Sequence, residues 1–531
     1  MKTKTIFKRK AALGLLFSAM IFAGLTGCQK GTFSVNDVNP NSPTSAPINY
    51  TLVASLVGTA NYVQGGNADP LENWMGYWTQ SGGYTASDTY VLYRLTSSNF
   101  TGNFDNAYQN LVNYNLLLKT AKADPNLGNY KAIGTVMQAF IYQRLVDLYN
   151  KIPYSQALSV NPTFSYKYDE DPKAIYASLI TKCDSAILII KAAKANTASI
   201  SPGSSDIMFG GDMDKWAQFA KTLKLKMLIR ESVVIGDAGI VSGIGAVTPA
   251  DFLSTDAAMN PGYSNAADAQ VSPFYFDVIG NAQANPGANT NYWRGNDYAI
   301  SFFQANKDPR LLYVYAPAGS EVAKGYLTPL ADVPANYAKF KGRVYGSTSG
   351  TESNTVISAI VGTGFDQATQ KQKGPAQGAI MIPAHESLFL QAEAAQRGVA
   401  GLGTPQVLYE AAVKQAFKFV GVADYAAKAA TYVSQNGNSK TTWAATGNKI
   451  DLIITQKWAS MNSVDPLESY SDWRRLVIPA SLPVSIYPGN TALHIPYRFP
   501  YPLNEQTLNS ANVPAGGSGT DALTSKIFWM P

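Results

Sequence analysis

The side chains best equipped for chemistry in this chain are aromatic rings interleaved with amides and carboxylates. One group is Trp74, Tyr77, Trp78, Tyr84, Tyr90 and Tyr93, with Asn73, Gln80, Ser81 and Asp88 among them. A second is Asn289, Asn291, Tyr292, Trp293, Arg294, Asn296 and Asp297. An aromatic face stacks on the C–H face of a sugar, and polar tips nearby fix its hydroxyls. The candidate ligand contacts are therefore Trp74, Trp78, Tyr84, Asp88, Tyr90, Asn291, Tyr292, Trp293 and Arg294. Trp74 and Trp78 also stand at i,i+4 spacing, so core neighbours on one helix face are the competing reading. Trp293 lies in a Gly- and Asn-rich stretch that offers little core to fill.

Catalytic chemistry is harder to find. The chain has two histidines, His385 and His494, which excludes a multi-His metal site. It contains no HExxH, G-x-S-x-G, Walker A or CxxC pair. His385-Glu386 opens a helix and reads as a capping or core histidine. Asp206, Asp212 and Asp214 flank Gly210-Gly211, so a calcium loop is conceivable, although the spacing matches no EF-hand. Asp169, Glu170 and Asp171 precede Pro172 and read as favourable charge at a helix N-terminus. Carboxylate pairs for glycoside hydrolysis need not be close in sequence, but no pair stands out. No metal or cofactor is expected.

Cys28 offers a different chemistry. Residues 1–10 are basic, Ala11 to Leu25 is apolar, and Leu25-Thr26-Gly27-Cys28 follows. The apolar run is shorter than the roughly 20 residues of a membrane span and fits the h-region of a secretory signal peptide. The order of h-region, small residues and Cys resembles the lipobox of bacterial lipoproteins. That resemblance implies a signal peptide over 1–27 and acyl chains on Cys28, a durable anchor. The other cysteine is Cys183.

Composition narrows the ligand. Charged residues are only 15% of the 531, against about 25% in ordinary proteins. Hydrophobic residues are 46%, enough for a globular core, and Tyr (31) and Gly (43) are plentiful. Lys2, Lys4, Lys8, Arg9 and Lys10 of the leader account for five of the six net positive charges. The remainder is nearly neutral, which argues against nucleic acid as a partner.

The elements that must position these groups are mainly helical. After a Pro-bearing tether over 28–49, helical periodicity recurs. Ile133, Val136, Met137, Phe140, Ile141, Leu145 and Leu148 make one apolar face. Trp216, Phe219, Ala220, Leu223 and Met227 make another, with Lys221, Lys224 and Lys226 turned away. Helices are predicted at about 103–122, 130–149, 172–195, 216–234, 385–397, 405–420, 423–435 and 450–461. Several read as stacked pairs in the manner of tetratricopeptide repeats: 103–122 with 130–149, 172–195 with 216–234, and 385–397 with 405–420. Residues 50–100, 236–380 and 477–531 read as ordered, loop-rich chain packed on that scaffold.

Short motifs in a shared order resemble the SusD/RagB-like nutrient-binding outer-membrane lipoproteins of Bacteroidetes. They include Asn39 to Pro43, Asp147 to Tyr154 with Ala157-Leu158, and Asp206 to Asp212 with Lys215-Trp216. Asp308 to Leu311, Glu386 to Gly398, Gln456 to Trp458, Asp472 to Arg475, and Arg498 to Pro502 with Glu505 and Asn509 complete the series. The resemblance implies a mainly α fold: tetratricopeptide-like helix pairs in a right-handed scaffold under a large irregular region, one domain over 50–531. It implies a surface-exposed outer-membrane protein that captures a nutrient and passes it to a TonB-dependent, SusC-like transporter. It implies no catalytic residues, and it makes Arg474, Arg475, Arg498 and Glu505 structural. A glycan is the expected ligand and a peptide the alternative within the family. The competing class, a secreted hydrolase on a helical scaffold, finds no nucleophile motif to support it.

Overall fold

Helix formation here follows local rules. In the helix Pro172–Ala195, the Asp171 side chain accepts a hydrogen bond from the Lys173 amide at 3.0 Å, and Pro172 occupies the first turn. Ile175, Tyr176, Leu179, Cys183, Ala186 and Ile190 then bury one face. The computed structural model describes residues 46–531 except 67–68, 160–164, 170, 288, 323–327, 349–354, 516, 518 and 520. The leader, Cys28, the Asn39–Pro43 motif and Glu170 lie outside the described residues.

In chain order the principal helices are α1 (Ile48–Gln64), α2 (Asp69–Trp74), α3 (Gly102–Lys122), α4 (Gly128–Tyr149), α5 (Pro172–Ala195), α6 (Met213–Arg230) and α7 (Ser232–Ile244). They continue with α8 (Asp297–Ala305), α9 (Ala384–Gln396), α10 (Pro405–Phe419), α11 (Tyr425–Val433), α12 (Lys449–Met461) and α13 (Pro466–Leu476). Helix α3 packs on α4, α5 on α6, and α9 on α10, which are the three predicted pairs. Three small antiparallel ribbons complete the fold: β1 (Trp78–Gln80) with β5 (Trp293–Gly295), β2 (Ile152–Pro153) with β3 (Tyr168–Asp169), and β4 (Ala257–Met259) with β6 (Ala379–Ile382). The fold is mainly α, with a loop-rich region on helix pairs.

Helix α1 corrects the reading of 50–100 as irregular, and it begins at Ile48, inside the stretch expected to be tether. Its inward face mixes Leu52, Leu56 and Val63 with Thr51, Ser55 and Thr59. The Ser55 hydroxyl donates to the Thr51 carbonyl at 2.7 Å, and Thr59 does the same to Ser55 at 3.0 Å. Such back-bonding lets hydroxyl residues face a core, and it hides the helix from hydropathy.

A second correction concerns α6. Lys224 and Lys226 are not turned away to solvent. Lys224 donates to Asp184 at 2.8 Å, and Lys226 is 1% exposed, 2.7 Å from Glu386 and 3.3 Å from Glu468. Around Glu468 a buried ionic lattice ties five helices together. Arg230 donates to Glu468 at 2.8 Å and stands 3.5 Å from Asp147 of α4. Lys457 of α12 pairs with Asp472 of α13 at 2.9 Å, and Arg475 bridges Asp472 and Glu393 of α9. Arg474 donates to the carbonyls of Asp147 and Tyr497 and lies over the Tyr470 ring. His385 is buried against Phe419, and burial with the nearby Arg310 charge pushes it down to about 3.

Candidate functional site

The two aromatic groups that are separate in sequence are one structure in space. Strand β1 pairs with β5 so that Trp78 faces Gly295, Thr79 faces Arg294, and Gln80 faces Trp293. The Ser81 amide donates to the Tyr292 carbonyl at 2.8 Å, extending the ribbon into the loop that follows. Gln80 holds that loop by accepting from the Ser87 amide at 3.0 Å. Tyr84 and Tyr292 then meet edge to face, with ring centroids 4.9 Å apart.

The ribbon also decides which rings a ligand can touch. Trp74, Trp78 and Trp293 are at most 2% exposed, so their faces are closed to a stacking sugar. Trp74 is walled by Tyr93, Phe100, Tyr470 and Phe499. Trp78 donates its indole N–H to Ser463 at 3.0 Å. Trp293, expected in an open loop, sits in a strand and donates to Asp69 at 3.0 Å. The Gly- and Asn-rich stretch around it forms turns, and packing from α2 and Tyr90 supplies the core that the local sequence does not show. The rings left at the surface are Tyr84, 46% exposed, and the half-buried Tyr292 and Tyr90. Asp88 is exposed and pairs with Arg94 at 3.0 Å.

Arg294 and Asn291 line a cavity of about 270 Å³ with Pro286, Thr290, Ser320 and Glu321. Arg294 is buried, and its guanidinium donates to the carbonyls of Thr290 at 2.6 Å and Trp293 at 2.8 Å and to the Asn291 side chain at 3.1 Å. No carboxylate within salt-bridge reach neutralises it among the described residues, and burial pushes its pKa down to about 10. The arrangement offers surface tyrosine rings, an amide and a donor-rich cation beside a small cavity.

Asp69 and Asp277 escaped the sequence reading. Asp69 takes the Trp293 N–H, and Asp277 takes a hydrogen bond from Asn289 at 2.9 Å. The two carboxyls lie close enough to influence each other, and burial pushes Asp277 up to about 6. Nothing in the spacing of residues 69 and 277 announces this pair. The carboxylates flanking Gly210-Gly211 are engaged by neighbouring groups of the protein. Asp206 accepts from the amides of Met208, Phe209 and Gly211 and from the Trp216 indole at 2.8 Å. Asp212 caps α6, and Asp214 pairs with Lys194.

The family described as "Starch-binding associating with outer membrane", SusD-like, matches residues 40–502. The chain belongs to that family. SusD-like proteins bind nutrients and are not enzymes, and the chain is accordingly an outer-membrane-associated binding protein. A chitin-binding protein is 22% identical over 91% of this chain and 100% of its own, with a TM-score of 0.66. A chitin-binding SusD homologue of Flavobacterium johnsoniae is 21% identical over 90% and 98%, with a TM-score of 0.68. A SusD homologue of Bacteroides fragilis is 20% identical over 91% and 99%, with a TM-score of 0.69. At these identities the likeness is one of fold. No curated protein matches the chain. Among the described residues no helix is long and apolar enough to cross a membrane.

Proposed function

We propose that this protein is a lipid-anchored glycan-capture protein of the bacterial surface that hands its ligand to a SusC-like, TonB-dependent transporter. The family carries the general role. The observation that carries the ligand class is the Tyr84–Tyr292 edge-to-face pair beside the cavity of Asn291 and Arg294. Tyrosine edges and an amide suit a saccharide, whose hydroxyls both donate and accept. The chitin-binding proteins of the same fold support a neutral oligosaccharide as the ligand class. Calorimetry of the purified protein with chitohexaose and maltoheptaose tests the reading, with an oligopeptide as the third titrant. Saccharide binding that is lost in Tyr84→Ala/Tyr292→Ala is the expected result, and binding of the peptide alone overturns it.

The peptide alternative has one specific observation in its favour. Among the described residues Arg294 is a buried guanidinium with no carboxylate partner, and a peptide C-terminus would supply one. The anchor rests on Leu25-Thr26-Gly27-Cys28. Cys28→Ser should leave the protein without fatty acid, because the hydroxyl does not replace the thiol in thioether formation. Incorporation of labelled palmitate by the Ser variant would refute the anchor.

A further inference from the structure

Another cavity is lined by neither Tyr84 nor Tyr292. It is a groove of about 810 Å³ between α1, α3 and the chain segment 268–277. On α3, Asn106, Gln109, Asn110 and Asn113 line it at i, i+3, i+4 and i+7, which is one helix face. Asn61 faces them from α1, and Phe276 stands at the third wall, 46% exposed. No lysine or arginine lines the groove, whereas α3 carries Lys119 and Lys122 in its last turns.

The amides are chemically available. Among the described residues, the exposed side chains of Asn61, Asn106, Gln109 and Asn113 make no hydrogen bond. Asn110 is 3% exposed and donates to Thr59 at 2.8 Å, but its Oδ1 is buried without a partner. That oxygen points at Gly58, where a Cβ would come within 2.5 Å of it. A helix glycine here costs stability relative to alanine, and it leaves the amide room at the base of the groove. Asp277 adds an acceptor at the same wall.

A stripe of amides offers two N–H donors and one carbonyl at each step, spaced by a helix turn. Hydroxyl groups along a sugar chain match that alternation, and an exposed phenyl ring supplies the stacking surface. An anion would find no cation in this groove, and an apolar ligand would strip water from amides that it cannot pair. We infer that the α1–α3 groove is a second saccharide site, distinct from the Tyr84–Tyr292 surface and built for a neutral oligosaccharide. The inference rests on the glycan reading of the protein's function.

Calorimetric titration of the full-length protein with chitotriose, repeated with maltotriose, tests it through stoichiometry. The expected result is two sugars per chain for one of these probes. Asn106→Ala/Asn113→Ala should weaken one of the two sites about tenfold, as should Phe276→Ala, the scale of losing one stacking or bonding partner. Tyr84→Ala/Tyr292→Ala should weaken the other site and leave the groove intact. All three variants alter exposed or half-buried positions, and an unchanged melting temperature verifies that each is folded. Binding at a single site that the groove variants leave untouched overturns the groove while glycan capture stands. Failure of the parent protein to bind either sugar overturns both.

Discussion

The ionic lattice under the helix pairs and the aromatic ribbon of β1 and β5 are both buried, yet they treat polar groups in opposite ways. In the lattice the charges meet opposite charges, except Arg474, which is held by carbonyls. Glu468 alone is approached by Lys226, Arg230 and Lys457. On the ribbon side Arg294 is held by carbonyls and an amide, and the nearby carboxyls Asp69 and Asp277 lie close to each other. A closed set of ion pairs fixes the register of helices far apart in sequence, because removing any partner strands a buried charge. An incompletely neutralised surface keeps bonding capacity for something that arrives later. The scaffold is held by charge pairing, and the ribbon side keeps a guanidinium without a carboxylate among the described residues.

Breaking the lattice should have the largest effect. Glu468→Gln removes the carboxylate on which three cations converge and should cost about 3–5 kcal/mol of folding stability. Urea unfolding reads this directly, and a loss below about 1 kcal/mol would show that the lattice contributes little. A narrower cut on the other side is Trp293→Phe, which keeps a buried ring but deletes the N–H given to Asp69. It should cost about 1–3 kcal/mol of stability. Lost saccharide affinity without any stability change would instead return Trp293 to the ligand.

Tyr84→Ala and Tyr292→Ala should reverse the pattern. Each should weaken capture by about 1–3 kcal/mol, by analogy with stacking of bases on aromatic rings. Melting temperature should hardly move, because Tyr84 is exposed and Tyr292 only half-buried.

Two buried groups, His385 and Asp277, should answer pH with opposite signs. His385 is held neutral, at about 3, below its unfolded value near 6.5. Its contribution is therefore present above pH 6.5 and is lost as pH falls, by about 1 kcal/mol between pH 7 and 5.5. Asp277 is raised to about 6, above its unfolded value near 4, so its contribution is present at low pH and is lost as pH rises through 6. Relative to the parent, His385→Leu should flatten the acid-side slope of stability, and Asp277→Asn should lessen the decline toward neutrality. Identical pH profiles for both variants and the parent would contradict the assignment.

The helices were legible wherever the buried face was apolar. Residues 172–195 carry a cap, a first-turn proline and regularly spaced Ile, Leu and Ala, and the helix spans Pro172–Ala195. Helix α1 was not legible, because its inward Ser and Thr are made compatible with a core only by hydrogen bonds to the preceding turn. The burial of Lys226 is hidden from the sequence for a related reason. A lysine on a helix reads as solvent-facing until two distant helices bring carboxylates to it.

By itself the sequence determined the helical class, the three stacked pairs, the near-neutral composition and the family motifs, all of which are local or ordered along one chain. It also assembled the aromatic residues into two groups. Only the tertiary structure decided that those groups are one ribbon, and that Trp74, Trp78 and Trp293 face inward while Tyr84 and Tyr292 face out. The physical reason is that exposure belongs to what packs against a residue. The strand opposite Trp293 lies more than 200 residues away along the chain, where no local pattern records it.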